Sequence, residues 1–452
     1  MPLSTARPKA TAYCALPYPT DRQCRPTVAY YAEKCYICII DGGRATSCAR
    51  LSTESLNKFT PKLTDKMIRK AIMTGAAALV LTAACGSYAA AQQVHNETWA
   101  DGVERSLVYC PGDFDSKFYR IPAIVTAKDG SIVTVADKRI EHNGDLPAKI
   151  DVVSRRSTDG GRTWSPYVVV AAHDEIGGCG DPALVVDEKT GQIFCIFTHG
   201  NGLWQKEPGH ISFCVSKDNG KTWGKMTDIN PQILTTDPAG KQPIKCTSAF
   251  ASSGRATQLA NGRLIFPLVV REDGNPDFKV YAVYTDDLGK TWKVSKNPAT
   301  TDGDESKIVQ LADGTVIMSI RNRRGILRKF SYSHDNGETW SEPVPVEGLP
   351  DPRCNGDIIT YDYNGKQLLL QSLPGDPKGR NNVAIYVSAD GGKTWPVKKT
   401  VVNLPSAYSS MTVLPDGSIG ILTEESANNH YSYNIWFTKL PIEVLMAPAK
   451  KQ

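Results

Sequence analysis

The sequence predicts an all-β fold, a six-bladed β-propeller, and three observations lead to it. An eight-residue pattern, S-x-D-x-G-x-T-W with Thr for the first Ser in one copy, occurs at positions 157–164, 216–223, 285–292, 333–340 and 388–395. The Trp residues that end the copies are 59, 69, 48 and 55 positions apart, which leaves room for a small sheet in each interval. Short alternating apolar runs surround the copies, and no long segment of helical period interrupts them. Strand repeats of this length are typical of propellers.

Each copy of the pattern is expected to be a turn between two strands. Its Ser and Asp side chains can form hydrogen bonds with the turn backbone, and its Gly supplies the positive φ that other residues resist. The Trp is expected to anchor the outgoing strand. Five copies indicate five blades, residues 408–440 supply strands for a sixth, and the lead-in 94–110 is expected to close the ring.

The composition argues against some classes of function. The chain of 452 residues has a net charge of +5, but residues 1–91 contain 12 Lys and Arg against 5 Asp and Glu, so the remainder is slightly acidic. The basic excess lies in the leader, and we expect no nucleic-acid partner. The seven His form no His-Glu-x-x-His pair, which argues against a catalytic zinc. No cofactor is expected, and a structural calcium is left open because no motif assigns one.

The first 91 residues have the organisation of a leader. A basic start, an apolar run and a small-residue cleavage site predict a signal peptide over 67–91, followed by the propeller domain over 92–448. We therefore expect an exported protein, in the periplasm, at the outer membrane or outside the cell. Residues 1–66 are expected to be a disordered upstream segment that is not part of the exported chain.

The cysteines leave two questions open. Cleavage at the small residues 89–91 is one outcome, and lipid modification of Cys85 is the alternative. Thr82 fits the lipoprotein pattern less well than an aliphatic residue would. Six of the twelve Cys lie up to Cys85 and six beyond it. Export permits disulfides, but their pairing does not follow from the sequence.

Arg120 is the first residue that suggests a ligand. It lies in the otherwise apolar strand start 118–122, where a buried guanidinium is costly unless it serves an anion; a surface Arg is the alternative. With its Arg-Ile-Pro motif at 120–122 and its five repeats, which are known as Asp-boxes, the chain resembles the bacterial exo-α-sialidase (neuraminidase) family over about residues 95–445. The resemblance implies a secreted glycosidase that removes terminal sialic acids from glycoproteins, glycolipids or oligosaccharides.

The resemblance implies that three arginines bind the carboxylate of the sugar, namely Arg120, Arg321 and Arg380. Guanidinium forks pair bidentately with carboxylates, so converging forks fix the orientation of an anionic sugar. Arg323 and Arg324 are alternatives for the second position. Only Arg321 ends the apolar run, and its two neighbours are expected in an exposed turn.

The resemblance also implies the reacting groups. Asp145 would be the acid and base, Tyr408 the nucleophile, and Glu305 the base that removes the phenol proton. Sialic acid carries a carboxylate on its anomeric carbon, so a neutral phenol avoids the repulsion that a carboxylate nucleophile would meet. Phenol is a weak nucleophile near neutral pH, which explains the adjacent Glu. The alternatives are that Tyr408 is a core aromatic and Glu305 part of a solvated acidic turn.

Supporting roles follow from the same resemblance. Arg139 and Asp181 would lie in the substrate pocket, and Glu424 would hold Arg120 in place. Trp204 is either a wall of the pocket for the N-acetyl group or a buried structural residue.

Two other functions stay open at this point. A propeller that binds sialoglycans without turnover would need the arginines but could lack Tyr408 and Glu305, whose presence favours an enzyme. Transfer of the sialyl group to another sugar, or within the same molecule, would use the same residues as hydrolysis. In each case the expected partners are sialylated glycoconjugates, and no partner protein is predicted.

Overall fold

The computed structural model describes residues 102–237, 239–272, 274–426 and 432–447, and the backbone of four strands before them. The chain divides into two units, Met1–Gln92 and Gln93–Gln452. Within residues 1–66, for which we expected disorder, one antiparallel sheet contains the strands Thr27–Tyr31, Tyr36–Asp41 and Arg44–Arg50. The predicted signal peptide and Cys85 lie outside the described residues, so export stays a prediction. Within the described part of the chain, no helix is both long and apolar enough to cross a membrane.

The second unit contains six mainly antiparallel sheets of four or five strands, which are the blades of a propeller. Blade 1 consists of Phe118–Thr126, Ile132–Arg139, Ile150–Ser157 and Val168–Ala171. Blade 2 consists of Gly178–Val186, Ile193–Gly200, His210–Ser216 and Thr227–Asp228, with Gly254–Arg255 parallel to its first strand. Blade 3 consists of Ser248–Ala251 and Thr257–Gln258, both paired with Leu264–Arg271, then Phe278–Thr285 and Lys293–Val294.

The last three blades complete the ring. Blade 4 consists of Gly303–Gln310, Val316–Asn322, Leu327–Ser333 and Val344–Pro350. Blade 5 consists of Asp357–Tyr363, Lys366–Pro374, Val383–Ser388 and Val397–Thr400. Blade 6 consists of Ser406–Val413, Ile419–Glu425 and Asn434–Leu440, then the N-terminal strands Glu104–Tyr109 and Asn96–Thr98. The predicted six blades and their closure by the lead-in are thus confirmed. The remaining elements are short: the parallel pair Leu234–Thr235 and Ile244–Lys245, and the helices Asp113–Asp115, Asn230–Ile233 and Ile442–Met446.

The five Asp-boxes are the turns that the sequence predicts. In the first, the amide of Gly161 donates to Ser157 Oγ at 2.9 Å, and the amide of Thr163 donates to Asp159 Oδ1 at 2.9 Å. The other four copies repeat these bonds. The Trp of a box reaches the preceding blade: Trp164 packs edge-on against Phe437 of blade 6, with 5.5 Å between ring centroids. Each box therefore connects two blades as well as two strands.

The apolar core lies between the blades. Six clusters of buried side chains each join two neighbouring blades, from blades 1 and 2 round to blades 6 and 1. The first strand of blade 6 also contacts that of blade 1. Packing sheet faces against each other in a ring buries both sides of every blade.

Bulges interrupt the innermost strands of four blades. The register shifts between Arg120 and Ala123, between Gly180 and Ala183, between Gly303 and Ser306, and between Ser406 and Ser409. An inserted residue turns a side chain away from the regular alternation of the strand. The four bulges all lie near the start of the strand, and within or beside them are Arg120, Asp181, Glu305 and Tyr408, which belong to the site described next.

Candidate active site

A cavity of about 240 Å³ lies where the innermost strands begin. Most of the polar residues that the sequence analysis identified line this cavity, although they belong to different blades. Its lining consists of Arg120, Ile121, Asp145, Leu146, Asp181, Gly202, Leu203, Trp204, Phe250, Phe278, Asp304, Glu305, Arg321, Arg380 and Tyr408. Of the site residues expected from the sequence, only Arg139 and Glu424 are not part of the lining.

Glu424 lies behind Arg120 and holds its guanidinium. Arg120 Nε donates to Glu424 Oε1 at 2.8 Å and Arg120 Nη2 donates to Oε2 at 3.0 Å. The same carboxylate accepts the amide of Ile121 at 2.8 Å and the amide of Tyr408 at 3.3 Å. It is completely buried. Four donors on one carboxylate fix Arg120 to both the first and the last blade.

The other two arginines approach from blade 4 and blade 5. Arg321 Nη1 donates to Tyr408 Oη at 3.0 Å and pairs with Glu305. Its buried Nε is without a hydrogen-bond partner within the described residues. Arg380 lies with its guanidinium carbon 5.5 Å from the Tyr408 ring centroid. A buried donor without a protein acceptor, beside two further guanidinium groups, suits a bound anion.

Arg323 and Arg324, the alternatives to Arg321, make hydrogen bonds outside the cavity lining. The guanidinium carbon of Arg323 lies 3.5 Å from the Phe278 ring centroid, and the side chain donates to a backbone carbonyl. Arg324 is exposed and pairs with Asp277. Neither lines the cavity, as the exposed-turn interpretation predicts.

Tyr408 and Glu305 form a buried pair at the floor of the cavity. The Tyr408 hydroxyl donates to Glu305 Oε2 at 2.7 Å. Burial and the adjacent Glu305 charge raise the pKa of Tyr408 well above its usual value. Burial opposes the charge of Glu305, but Arg321, Lys307 and the Tyr408 hydroxyl outweigh it and lower the pKa of Glu305. The pair is therefore a neutral phenol beside an ionised carboxylate, which can accept the phenol proton.

Asp145 and Arg139 form a second polar group at the rim. Asp145 is 76% exposed and pairs with Arg139 Nη2 at 2.8 Å. Arg139 is itself 1% exposed and also pairs with Asp137 at 3.0 Å. Arg139 is not part of the cavity lining and pairs with Asp145 instead, so its expected place in the substrate pocket stays a prediction. Asp181 does line it, and burial, then the charges of Asp137 and Asp145, raise the pKa of Asp181.

One side of the cavity is apolar. Leu203, Phe250 and Phe278 contribute to it, and Trp204 lies edge-on to Phe278 with 5.6 Å between ring centroids. Trp204 is 69% exposed, so the buried structural alternative for this residue is wrong. A cavity with guanidinium groups on one side and an apolar wall on the other can hold a ligand with a carboxylate and an uncharged substituent.

Some residues of the site escaped the sequence analysis. Asp137 lies two positions before Arg139 on one strand, and side chains two apart share a face, so the strand pattern contained a signal for it. Asp304 precedes Glu305, and its Oδ2 lies 3.7 Å from Arg321 Nη2. Tyr433, whose ring centroid lies 5.0 Å from the Arg120 guanidinium carbon, had no local signal.

The cysteines of the described part of the propeller are unpaired. Cys110 is half-buried, and Cys179, Cys195, Cys214, Cys246 and Cys354 are buried. Within the described residues, no three His, Cys, Asp or Glu side chains are grouped as a metal site would group them.

The fold and the site together define an Asp-box propeller with a cavity that three arginines line. Residues 144–421 match the profile of the BNR repeat-like domain, more than half of the chain. The chain is 32% identical over 358 residues to a sialidase of Bacteroides fragilis and 34% identical over 340 residues to a sialidase of Micromonospora viridifaciens. The chain belongs to the bacterial sialidase family with BNR repeats.

The alignments differ in how much of each protein they include. They cover 72% of this chain and 64% of the B. fragilis protein, and 70% of this chain and 51% of the M. viridifaciens protein. The chain thus spans between half and two thirds of these relatives. Among solved structures, the Hadza microbial sialidase Hz136 superimposes with a TM-score of 0.66 at 29% identity, covering 74% of this chain and 68% of that one.

Proposed function

We propose that this protein is an exo-α-sialidase that hydrolyses terminal sialic acids of glycoproteins, glycolipids or oligosaccharides with retention of configuration. The observation that carries the proposal is the 2.7 Å hydrogen bond from Tyr408 to Glu305, in a cavity that three arginines also line. A binding protein needs the arginines. It has no use for a phenol paired with a buried base.

The first half of the proposed reaction transfers the sugar to the protein. Arg120, Arg321 and Arg380 bind the carboxylate, and Asp145 donates its proton to the glycosidic oxygen as the bond to the anomeric carbon breaks. Tyr408 Oη forms a bond to that carbon while its proton passes to Glu305. The neutral phenol approaches the anionic sugar without charge repulsion, in agreement with the raised pKa of Tyr408.

The second half releases the sugar. Asp145, now a carboxylate, removes a proton from water, and the oxygen of that water replaces Tyr408 at the anomeric carbon. Glu305 returns its proton to the phenolate. Two inversions at one carbon give overall retention. Arg139 supports both roles of Asp145, since the pair at 2.8 Å holds an otherwise exposed side chain at the rim.

The decisive experiment is Tyr408→Phe, assayed by release from a fluorogenic sialoside. We expect kcat to fall by about 10³-fold or more while the protein still binds the sialoside, because the loss of one oxygen removes the nucleophile and leaves the arginines. Tyr386→Phe is the matched control: this buried hydroxyl has no hydrogen-bond partner within the described residues and lies outside the cavity, so turnover should be unchanged. Turnover of Tyr408→Phe within tenfold of wild type would refute the nucleophile.

The same assay separates the other functions. Sialoside binding by wild type without release would indicate a sialoglycan-binding propeller. Product analysis by NMR distinguishes hydrolysis, in which α-sialic acid is released first, from transfer to a sugar or an intramolecular product.

We also propose that the protein is exported through the signal over 67–91. The support is the order of a basic start, an apolar run and small residues. N-terminal sequencing of the protein from the producing cells should begin near Gln92. A blocked, lipid-modified start at Cys85 would instead favour the lipoprotein alternative, and a start before position 67 would contradict both.

A further inference from the structure

A row of buried polar side chains lies behind Glu305, on the side away from Tyr408. Lys307 Nζ donates to Asn355 Oδ1 at 2.6 Å, Asn355 Nδ2 donates to Ser253 Oγ at 3.0 Å, and Ser253 Oγ donates to Glu305 Oε1 at 3.1 Å. The four residues are between 0% and 3% exposed. They come from three places in the chain: Ser253 precedes the strand Gly254–Arg255, Lys307 lies in the first strand of blade 4, and Asn355 precedes blade 5.

Lys307 is an unusual residue to bury. A buried ammonium group costs several kcal/mol unless a counter-charge and hydrogen bonds compensate. Within the described residues, the hydrogen bonds of its Nζ are to Asn355 and to the carbonyl of Ser306 at 3.3 Å, with no direct carboxylate partner. Burial lowers the pKa of Lys307 to about 7, while the negative charges of Glu305 and Asp357 oppose this shift. The cost of burying the Lys307 ammonium group indicates that this residue has a functional role.

Of the two carboxylates whose charges act on Lys307, Glu305 is the one that the row of hydrogen bonds reaches. Asp357 is paired with Arg255 at 3.0 Å, and Arg328, the other nearby cation, is paired with Asp351 at 3.1 Å. The charged and titratable groups that face Glu305 are Arg321, Lys307, Tyr408, Asp304, Asp181 and Cys354.

We propose that Lys307 is a positioning residue for the reaction, which acts through Asn355 and Ser253 to keep Glu305 ionised and its Oε2 directed at Tyr408. The inference rests on the proposed function, since it assigns Lys307 a part in the work of the base. The direction of the hydrogen bonds supports it. Every link donates toward the carboxylate, from the ammonium through the amide and the hydroxyl, and such chains polarise one another.

The geometry divides the two oxygens of Glu305 between two tasks. Oε1 accepts the Ser253 hydroxyl, and Oε2 accepts Tyr408 and Arg321. Without the Ser253 hydroxyl at Oε1, the carboxylate of Glu305 could rotate, and its negative charge would lose a stabilising hydrogen bond. Its pKa would then rise, and the base would be protonated over a wider range of acidic pH.

The test compares the pH profile of kcat/KM for wild type, Lys307→Gln and Ser253→Ala. The acidic limb reports the protonation of the base in the free enzyme. Removing the cation or the link raises the pKa of Glu305, so we expect the limb to move to higher pH by about half to one unit, with KM changed by less than about twofold at the optimum. Lys329→Gln, which removes a cation from the same blade outside the row, should leave the limb in place.

A double variant tests whether the row acts as a unit. If Lys307 acts through Ser253, Ser253→Ala should shift the limb little further in the Lys307→Gln background, whereas independent effects would add. Asn355→Asp should also move the limb upward, because the new carboxylate pairs directly with Lys307 and diverts the Ser253 hydroxyl. A purely structural role would change stability and leave the limb unmoved.

Failure of this inference can be told from failure of the proposed function. With an active wild type, an unmoved acidic limb in both Lys307→Gln and Ser253→Ala overturns the inference alone. If wild type releases no sialic acid, the proposed function fails, and the pKa of Glu305 is then read by ¹³C NMR titration of labelled glutamate carboxyls, with Glu305→Gln assigning the signal. An upward shift in Lys307→Gln supports the coupling, and no shift overturns it.

Discussion

Glu424→Gln replaces one oxygen of a completely buried carboxylate by an amide NH₂ group. The new group would face two donors that Oε2 now accepts, Arg120 Nη2 at 3.0 Å and the amide of Tyr408 at 3.3 Å. The other two bonds, from Arg120 Nε and the amide of Ile121, can persist on the remaining oxygen. Removal of one partner of a buried ion pair costs about 3 to 5 kcal/mol. Because two of the four hydrogen bonds persist, we expect the free energy of unfolding to fall by about 3 kcal/mol, the lower end of this range.

The loss is measured as the difference in free energy of unfolding between variant and wild type in urea. Arg120 loses one of its two hydrogen bonds to residue 424 and faces an amide instead of a carboxylate, so its position in the cavity is less well fixed. KM for a fluorogenic sialoside should therefore rise by about tenfold or more, a loss of substrate binding. Glu425→Gln is the matched control, because Glu425 is the next residue on the same strand and pairs with Arg105 outside the cavity. It should destabilise the protein and leave KM unchanged. For Glu424→Gln, a loss below about 1 kcal/mol together with an unchanged KM would refute the reasoning.

Two further predictions concern the Asp-boxes. Hydrogen bonds from the hydroxyl and the amide of Thr394 lower the pKa of Asp390 from 3.8 to about 2. The stability from this carboxylate is therefore present above pH 3.8 and lost as the pH falls through about 2. Asp390→Asn should weaken the acid dependence of the urea midpoint between pH 5 and 2, and an equally steep dependence would contradict this. Gly161 and Gly160 have φ of 91° and 74°, but an added Cβ would lie 2.0 Å from Phe437 Cε1 only at Gly161. Gly160→Ala should cost about 1 kcal/mol and Gly161→Ala at least about 2 kcal/mol more in urea unfolding, whereas equal losses would show that the ring moves aside freely.

The repeats show why much of the fold could be predicted. Within one Asp-box the interacting residues are two to four positions apart, as with Gly161 and Ser157, so the sequence contains both partners of each bond. A turn of this kind every 48 to 69 residues implies a sheet between turns, and strands left over at both ends imply closure of the ring. Residues 1–66 differ, because the three strands from Thr27–Tyr31 to Arg44–Arg50 lie in the segment that we expected to be disordered from its position before the predicted signal peptide.

The candidate site was predictable as far as motifs and family resemblance identified residues. Arg120 and Tyr408 stood out through their motifs and their order in the chain, and both line the cavity. Arg139 was expected in the pocket for the same reason, yet the structure buries it beneath Asp145. A side chain beside the cavity and one within it have the same sequence signature, because the difference depends on bulges and on packing against other blades.

By itself, then, the sequence determined the number of blades, the turns between their strands and the membership of the chain in its family, since each depends on contacts within about ten residues or on a motif. The resemblance implied that Glu424 holds Arg120, but only the tertiary structure showed the four hydrogen bonds of that carboxylate, which reach Arg120 across 304 positions. Only the tertiary structure showed that Lys307 reaches Glu305 through Asn355 and Ser253. These pairings arise when the ring closes and the starts of the innermost strands meet. The protonation of Tyr408, Glu305 and Lys307 follows from that closure as well, because burial and neighbouring charges do not exist until the blades have packed.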